Sequence, residues 1–368
     1  MLNGLRLATP ADNDALIDLF GQVPMQGDLV LSTLRGPNFF HLYAMQDARF
    51  ETWVYAPEGE VVLAGTMLAR NGWLDGRPVR VGYLGDLRAR YGSLRARKLP
   101  VIYAQLFRHA REHLGCDLFL TSIMSSNTLA LNSLARRSPS RQSQPHYAAF
   151  RKFDAVSVQF TGRKKVANRR YSVRRATDAD LPSMVALLDT DHRRRACGYR
   201  FDLGELESRI AQWPGWRVRD TFLAFNRDVL VGLTTAWDPR FVKRYRVDAY
   251  RGSMAWSKFG FNAAARVFGW NSLPEPGEEF RYFYLTNTSI RGDDPEVFAA
   301  LLVEVYGAMR PHGYHFFSFP LFADDPLAPA VDGFATRRLG FELFVVSDAA
   351  DPVEHFSADR CGFEMALA

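Results

Sequence analysis

The sequence predicts an α/β chain with mixed, mostly antiparallel sheet, built as two tandem copies of one domain. Two observations predict this. The stretch LRLATPADNDALIDLF from Leu5 and the stretch VRRATDADLPSMVALL from Val173 align with one constant offset. That offset pairs Arg6 with Arg174, Ala8 with Ala176, Thr9 with Thr177 and Asp12 with Asp180. Strand and helix signals then follow in the same order behind both copies. A period this long marks a duplicated domain and not a solenoid, and 368 residues suffice for two compact units.

Each unit opens with a short strand, a Thr or Asp cap and a helix whose apolar residues recur every three or four positions. Phe50 to Leu68 alternate apolar and polar residues around Pro57-Glu58-Gly59 and read as a hairpin; Thr221 to Trp237 do the same around Asn226-Arg227-Asp228. A strand leading to a helical segment comes next in each unit, over Val79 to Leu87 and Glu279 to Ile290. Strands over Asp117 to Ile123 and Tyr314 to Leu321 follow those helices, and a C-terminal strand pair is expected to close each unit. The predicted domains are 1–160 and 171–368, joined by a basic linker around Thr161 to Arg170. The second carries a helical insertion over about 238–279 that has no equally long counterpart in the first. Its mixture of basic and aromatic residues suits a lid, a partner-binding helix, a nucleic-acid surface, or simply a helix packed on the sheet. Stacking of bases on Trp256 or Phe259 requires those rings to be exposed.

Composition narrows the classes. An apolar fraction of 47% with 13% aromatic residues builds ordinary globular cores. The N-terminal MLNGLRLATPADND lacks the apolar core of a secretory signal, and no window approaches the roughly 18 apolar residues of a membrane span. Cys116, Cys197 and Cys361 form no C-x-x-C pair, which fits a reduced, cytoplasmic chain and argues against structural zinc. The net charge of +6 points to anionic company without choosing among a phosphate-bearing cofactor, RNA and an acidic membrane surface. Basic residues cluster at Arg136 to Gln142, Gly162 to Arg170 and His192 to Arg195, where a solvated surface is the plain expectation.

The opening R-x-A-T-x-x-D pattern, the Arg337 to Leu343 stretch RRLGFEL and the Ser125 to Arg137 stretch SSNTLALNSLARR together resemble the Gcn5-related N-acetyltransferase superfamily, present twice. Arg35-Gly36-Pro37-Asn38-Phe39-Phe40 is similar to an Arg-x-Pro-x-Phe-Phe element of a bacterial tandem subgroup. The resemblance implies that two parallel strands splay apart and that acetyl-coenzyme A, or another acyl-coenzyme A, lies in the resulting V. The backbone at Leu87, Arg88 and Ala89 would pair with the pantetheine arm as an added strand. Its pyrophosphate would sit on a helix N-terminus, where free amides and the helix dipole favour negative charge.

The superfamily loop R-x-x-G-x-G/A is eroded here to Arg95-Ala96-Arg97-Lys98-Leu99-Pro100. Lys98 and Pro100 replace its glycines, so phosphate binding would rest on the charges of Arg95, Arg97 and Lys98. Asn127 is a further cofactor contact or a helix cap. The second unit has Arg291-Gly292-Asp293-Asp294-Pro295-Glu296 in the matching place, whose carboxylates would repel a pyrophosphate. The first unit is therefore the expected active one.

Asp86 is placed where this fold carries its general base, or it ties down the following turn. Tyr147 is the nearest substitute for the usual tyrosine acid, or a packed strand aromatic. His109 and His113 stand one helical turn apart, a spacing that suits metal chelation, but no third ligand is in view, so no metal is expected. The implied function is an acyl-coenzyme A-dependent N-acyltransferase acting on a small-molecule or peptide amine. The alternatives are an aminoacyl-tRNA-dependent transferase of the peptidoglycan-bridge kind and an inactive binding protein of the same fold.

Overall fold

The repeated R-x-A-T-x-x-D stretch folds the same way twice, for a reason visible in its side chains. The Arg6 guanidinium donates to both oxygens of Asp12 at 2.8 and 2.7 Å, and Arg174 grips Asp180 at the same distances. Each Asp also accepts from the backbone N–H and the hydroxyl of its Thr, Thr9 or Thr177, three residues earlier. The motif thus caps the first helix of each half while pinning it to the first strand. A second repeated detail is a pair of buried hydroxyls across the hairpin strands, Thr52–Thr66 at 3.0 Å and Thr221–Thr235 at 2.8 Å.

The structure is a computed structural model and describes residues 3–46, 49–90, 98–116, 118–136, 144–162, 164, 170–347 and 360–368. The first half contains β1 (Leu5–Leu7), α1 (Asn13–Gln22), β2 (Leu29–Leu34), α2 (His41–Ala44), β3 (Arg49–Tyr55) and β4 (Leu63–Leu74). These are followed by β5 (Arg77–Ala89), α3 (Lys98–Leu114), β6 (Phe119–Met124), α4 (Thr128–Ala130) and β7 (His146–Gln159). The second half begins with β8 (Ser172–Arg175), α5 (Leu181–Arg193), β9 (Gly198–Tyr199), α6 (Leu203–Gln212), β10 (Thr221–Asn226) and β11 (Val229–Trp237). It ends with β12 (Arg244–Tyr250), α7 (Gly252–Phe268), β13 (Tyr282–Ile290), α8 (Pro295–Met309), β14 (Phe316–Phe322) and β15 (Thr336–Ser347).

All described strands but β2 and β12 form one mixed sheet in the order β1-β3-β4-β5-β6-β15-β7-β14-β13-β11-β10-β8, with β9 beside β4. Both halves contribute the predicted order of strands up to β6 and β14. The predicted closing pair within each half is not what forms. Each half supplies one long strand, and the two pair antiparallel with each other from Thr336 opposite Val158 to Ser347 opposite His146. Strand β15 of the second half lies against β6 of the first, and β7 of the first lies against β14 of the second. Alternating apolar residues on both faces explain why each strand is content between two others: Phe153, Val156, Val158, Leu343, Phe344, Val345 and Val346 are all buried.

The insertion is half strand and half helix. Its β12 pairs with β2 of the first half, Arg244 opposite Leu34 through Tyr250 opposite Leu29, as a separate two-stranded ribbon. Its helix α7 packs by only one side, with Ala265 as the buried residue of that helix.

Candidate active site

Strands β5 and β6 run parallel, and their registered pairs are Gly82–Phe119 and Tyr83–Leu120. Beyond that point the Thr121 hydroxyl donates to the Leu84 carbonyl at 2.8 Å and the strands part. Strands β13 and β14 repeat this arrangement, paired from Tyr282–Phe316 to Tyr284–Ser318 and then diverging. Each diverging strand carries a bulge against its hairpin neighbour, and the bulged residue has left-handed backbone: Asp86 at φ 55° and Asn287 at φ 50°. Asp and Asn are the residue types that enter this region at low cost.

Both bulges are held by a buried arginine. Arg35, fully buried, forms an ion pair with Asp86 and donates to the Phe39 carbonyl at 3.1 Å. Its guanidinium lies 4.8 Å from the Phe39 ring centroid and 5.4 Å from that of Tyr43. The Arg-x-Pro-x-Phe-Phe element is therefore the device that carries a cation to Asp86. In the second half Arg209 of α6 donates to the Asn287 side-chain oxygen at 3.1 Å. Burial pulls the Arg35 charge down, but the adjacent Asp86 carboxylate more than offsets this and keeps the guanidinium above its ordinary value. Tyr43, buried beside the same carboxylate, is pushed well up by desolvation and holds its proton.

In the sequence Arg35 stands out only within its motif, and Lys243 and Glu364 carry no signal of a role. Lys243 is buried where the halves meet, donates to the Ala368 backbone oxygen at 2.6 Å and lies 5.5 Å from the Tyr284 ring. Burial lowers its pKa, with Tyr245, Arg35 and Asp86 also in its field. Glu364, in the segment 360–368, is buried and accepts from the Thr286 hydroxyl at 2.8 Å and from the Asn287 backbone N–H at 2.9 Å. The bulge amide of the second V is thus taken by the chain's own carboxylate. A lone charged residue in an otherwise uncharged stretch, as in LSTLRGPNFF, is the signal in the sequence that singles out Arg35, though not its partner.

The other sequence candidates sort as follows. Leu87, Arg88 and Ala89 form the outer end of β5; Leu87 is exposed, and the Arg88 guanidinium lies 5.4 Å from the Phe20 ring with its pKa lowered by burial. Lys98 opens α3, so Pro100 falls in the first helical turn as expected, while Arg95 and Arg97 lie outside the described residues. Asn127 is exposed and accepts from the Ala130 N–H at 3.1 Å, a helix cap. Tyr147 of β7 donates to the Tyr103 hydroxyl of α3 at 2.6 Å and packs on Phe344, and burial raises its pKa. Asp86 and Tyr147 are thus held by different partners.

In the second half Asp294 caps α8 through the Glu296 N–H and accepts from Tyr171, while Asp293 pairs with Arg360. Half of the His192 to Arg195 cluster turns inward: Arg195 pairs with Asp191 and donates to the Thr288 carbonyl, and buried His192 accepts from the Tyr199 N–H with its pKa pushed well down, while Arg193 and Arg194 are exposed. His109 Nε2 lies 3.0 Å from a Glu51 carboxylate oxygen, and the ring stacks on His113. No group of three potential metal ligands occurs among the described residues. The three cysteines are buried and free, and Cys116 is a core residue. A small cleft reaches from Gly82, Tyr83 and Leu120, at the base of the first V, to Glu364 and Ala368.

Two parallel pairs that part at a bulged strand, each behind the same capped opening helix, define the Gcn5-related N-acetyltransferase fold, present here in duplicate. No protein-family model matches the sequence, and no curated relative matches it. Solved structures do. A Saccharomyces cerevisiae N-myristoyltransferase with bound myristoyl-CoA superposes with a TM-score of 0.60 at 10% identity, over 99% of this chain and 85% of that one. A GCN5-related N-acetyltransferase from Sphaerobacter thermophilus superposes with a TM-score of 0.54 at 13% identity, over 99% and 98%. At these identities the likeness is one of fold. No described helix is long and apolar enough to cross a membrane.

Proposed function

We propose that the chain is an acyl-coenzyme A-dependent N-acyltransferase whose first half, residues 1–160, binds the acyl donor, acetyl-coenzyme A or a longer homologue. The observation that carries this reading is the difference between the two strand divergences. The second bulge amide is occupied by Glu364 and its helix N-terminus by Asp294, whereas at the first Leu87 is exposed, and in sequence the basic residues Arg95, Arg97 and Lys98 follow it in place of the acidic Asp293, Asp294 and Glu296. In the family whose fold this is, the thioester lies in such a divergence.

The reaction needs an uncharged amine nitrogen to attack the thioester carbonyl carbon, after which the carbon–sulfur bond breaks and the thiolate takes a proton. Asp86, gripped by Arg35 at the mouth of the first V, is the proposed base, acting directly or through one water. Tyr147, through its hydroxyl pair with Tyr103, is the proposed proton donor to the thiolate. The backbone of Leu87 to Ala89 receives the pantetheine arm, Arg95, Arg97 and Lys98 receive the phosphates, and Asn127 borders the donor. The acceptor, a small-molecule or peptide amine, enters through the cleft at Tyr83 and Leu120.

Calorimetry with acetyl-coenzyme A and longer acyl-coenzymes A tests the donor. Binding should weaken by about tenfold or more when Arg95, Arg97 and Lys98 are changed together to Ala, since phosphate contacts of this kind are charge-assisted. No heat with any acyl chain length sinks the proposal. Asp86→Asn is the informative catalytic variant, because the second half already carries Asn at the equivalent bulge. Thiol release in the presence of an amine pool should fall by about 10²-fold or more while donor affinity stays. Tyr147→Phe should lower kcat without changing donor affinity.

A further inference from the structure

Helix α7 turns an apolar face to solvent. Its inner side is fixed by Lys258, paired with Glu275, and by Asn262, which exchanges hydrogen bonds with the Leu273 backbone at 2.8 and 3.2 Å; Ala265 is buried on the same side. At 100° per residue, Trp256, Ala263 and Val267 fall on the opposite side, with Phe259 at its edge. There Trp256 is 79% exposed, Phe259 72% and Val267 76%, with Phe268 at 63% on the flank. A contiguous stripe of this kind on a folded protein marks a contact surface.

The surroundings are cationic. Residues 252–268 contain no Asp or Glu. Arg251 and Arg266 are exposed along the helix, and exposed Arg337 reaches Met254 from the start of β15, next to exposed Arg338 and Leu339. Among the described residues Glu275 sits on its inner side with Lys258, Asp28 lies beside Gly252 at its N-terminus, and Asp154 pairs with Arg338.

We propose that α7 docks on an anionic lipid surface, lying in the plane of the interface with Trp256, Phe259 and Val267 among the acyl chains and the arginines at the headgroups. An apolar stripe with a basic rim is the pattern of an interfacial helix. A nucleic acid fits less well, because it needs cations interleaved with the exposed rings, and Lys258 is turned away onto Glu275. A second copy of the chain would bring the same cationic rim against itself.

Co-sedimentation of the full chain with vesicles tests this. The chain should pellet with phosphatidylcholine–phosphatidylglycerol vesicles, less with phosphatidylcholine alone, and less again as salt rises. The triple variant Trp256→Ser, Phe259→Ser, Val267→Ser should bind about tenfold or more weakly, since each buried ring contributes on that scale, with an unchanged thermal melt because these positions are exposed. Three results would overturn the proposal: no pelleting with the anionic vesicles, equal pelleting of the triple variant, or a dimer in sedimentation velocity that the triple variant abolishes and vesicles fail to displace. Salt-sensitive tRNA retention lost in the triple variant, with no vesicle binding, would assign the stripe to nucleic acid instead.

Discussion

Asp12 shows what one side chain contributes to the repeated unit. Its carboxylate accepts from Arg6, from the Thr9 N–H and from the Thr9 hydroxyl, and the Arg6 bond foremost holds its pKa down to about 2; Asp180 is depressed in the same way by Arg174. A carboxyl whose folded pKa lies below its unfolded value stabilises the fold above the unfolded pKa, near 4, and loses that contribution as pH falls toward the folded value. Stability should therefore drop between about pH 4 and about pH 2, and Asp12→Asn should flatten that part of the profile in acid-titrated thermal melts. Arg6 is half-exposed, so solvent screening limits the cost of the variant near neutral pH to about 1 kcal/mol. An unchanged acid slope in Asp12→Asn would remove the pair from the account. Arg35 is a different case, buried with Asp86 as its ionic partner. Asp86→Leu leaves that guanidinium unpaired and should cost about 3–5 kcal/mol, whereas Asp86→Asn retains an acceptor oxygen and should cost less; chemical denaturation of the two variants compares them directly.

At the scale of elements, the two halves build the same bulged strand and surround it differently. Glu364 on the Asn287 amide and Asp294 on the α8 amides occupy the second divergence from within. Acyl-coenzyme A should accordingly titrate with one equivalent per chain in calorimetry, and two equivalents would mean that Glu364 gives way. Much of this level is legible in the sequence because its causes are local. The Thr caps, the alternation in β3, β4, β10 and β11, and the Pro100 turn all act within a few residues. The bulges are not legible, since nothing near Asp86 or Asn287 in the chain announces a positive φ. The pairing of Arg35 with Asp86 escapes for a related reason: the two lie 51 residues apart. The stripe on α7 has helical spacing whether it faces a sheet or water, so periodicity alone reads it as core.

For the whole molecule, the exchange of closing strands joins the halves into one sheet. A local pattern of alternating apolar residues specifies that β7 and β15 are strands but not which neighbours they take, so the sequence reading closes each half on itself. Cutting the chain at residue 160 removes β15 and leaves facing edges on β6, from Phe119 to Met124, and on β7, from His146 to Val158. Phe153, Val156 and Val158 would lose buried neighbours from β14 and β15 at the same time. Unpaired apolar edges of this length promote aggregation. Residues 1–160 expressed alone should be insoluble or melt without cooperativity, while co-expression with 161–368 should restore a stoichiometric complex, because the missing strand is then supplied by the other fragment. A soluble, monomeric 1–160 fragment with a cooperative melt would show that the first half closes its own sheet, and that the strand exchange joins two domains that are each stable alone.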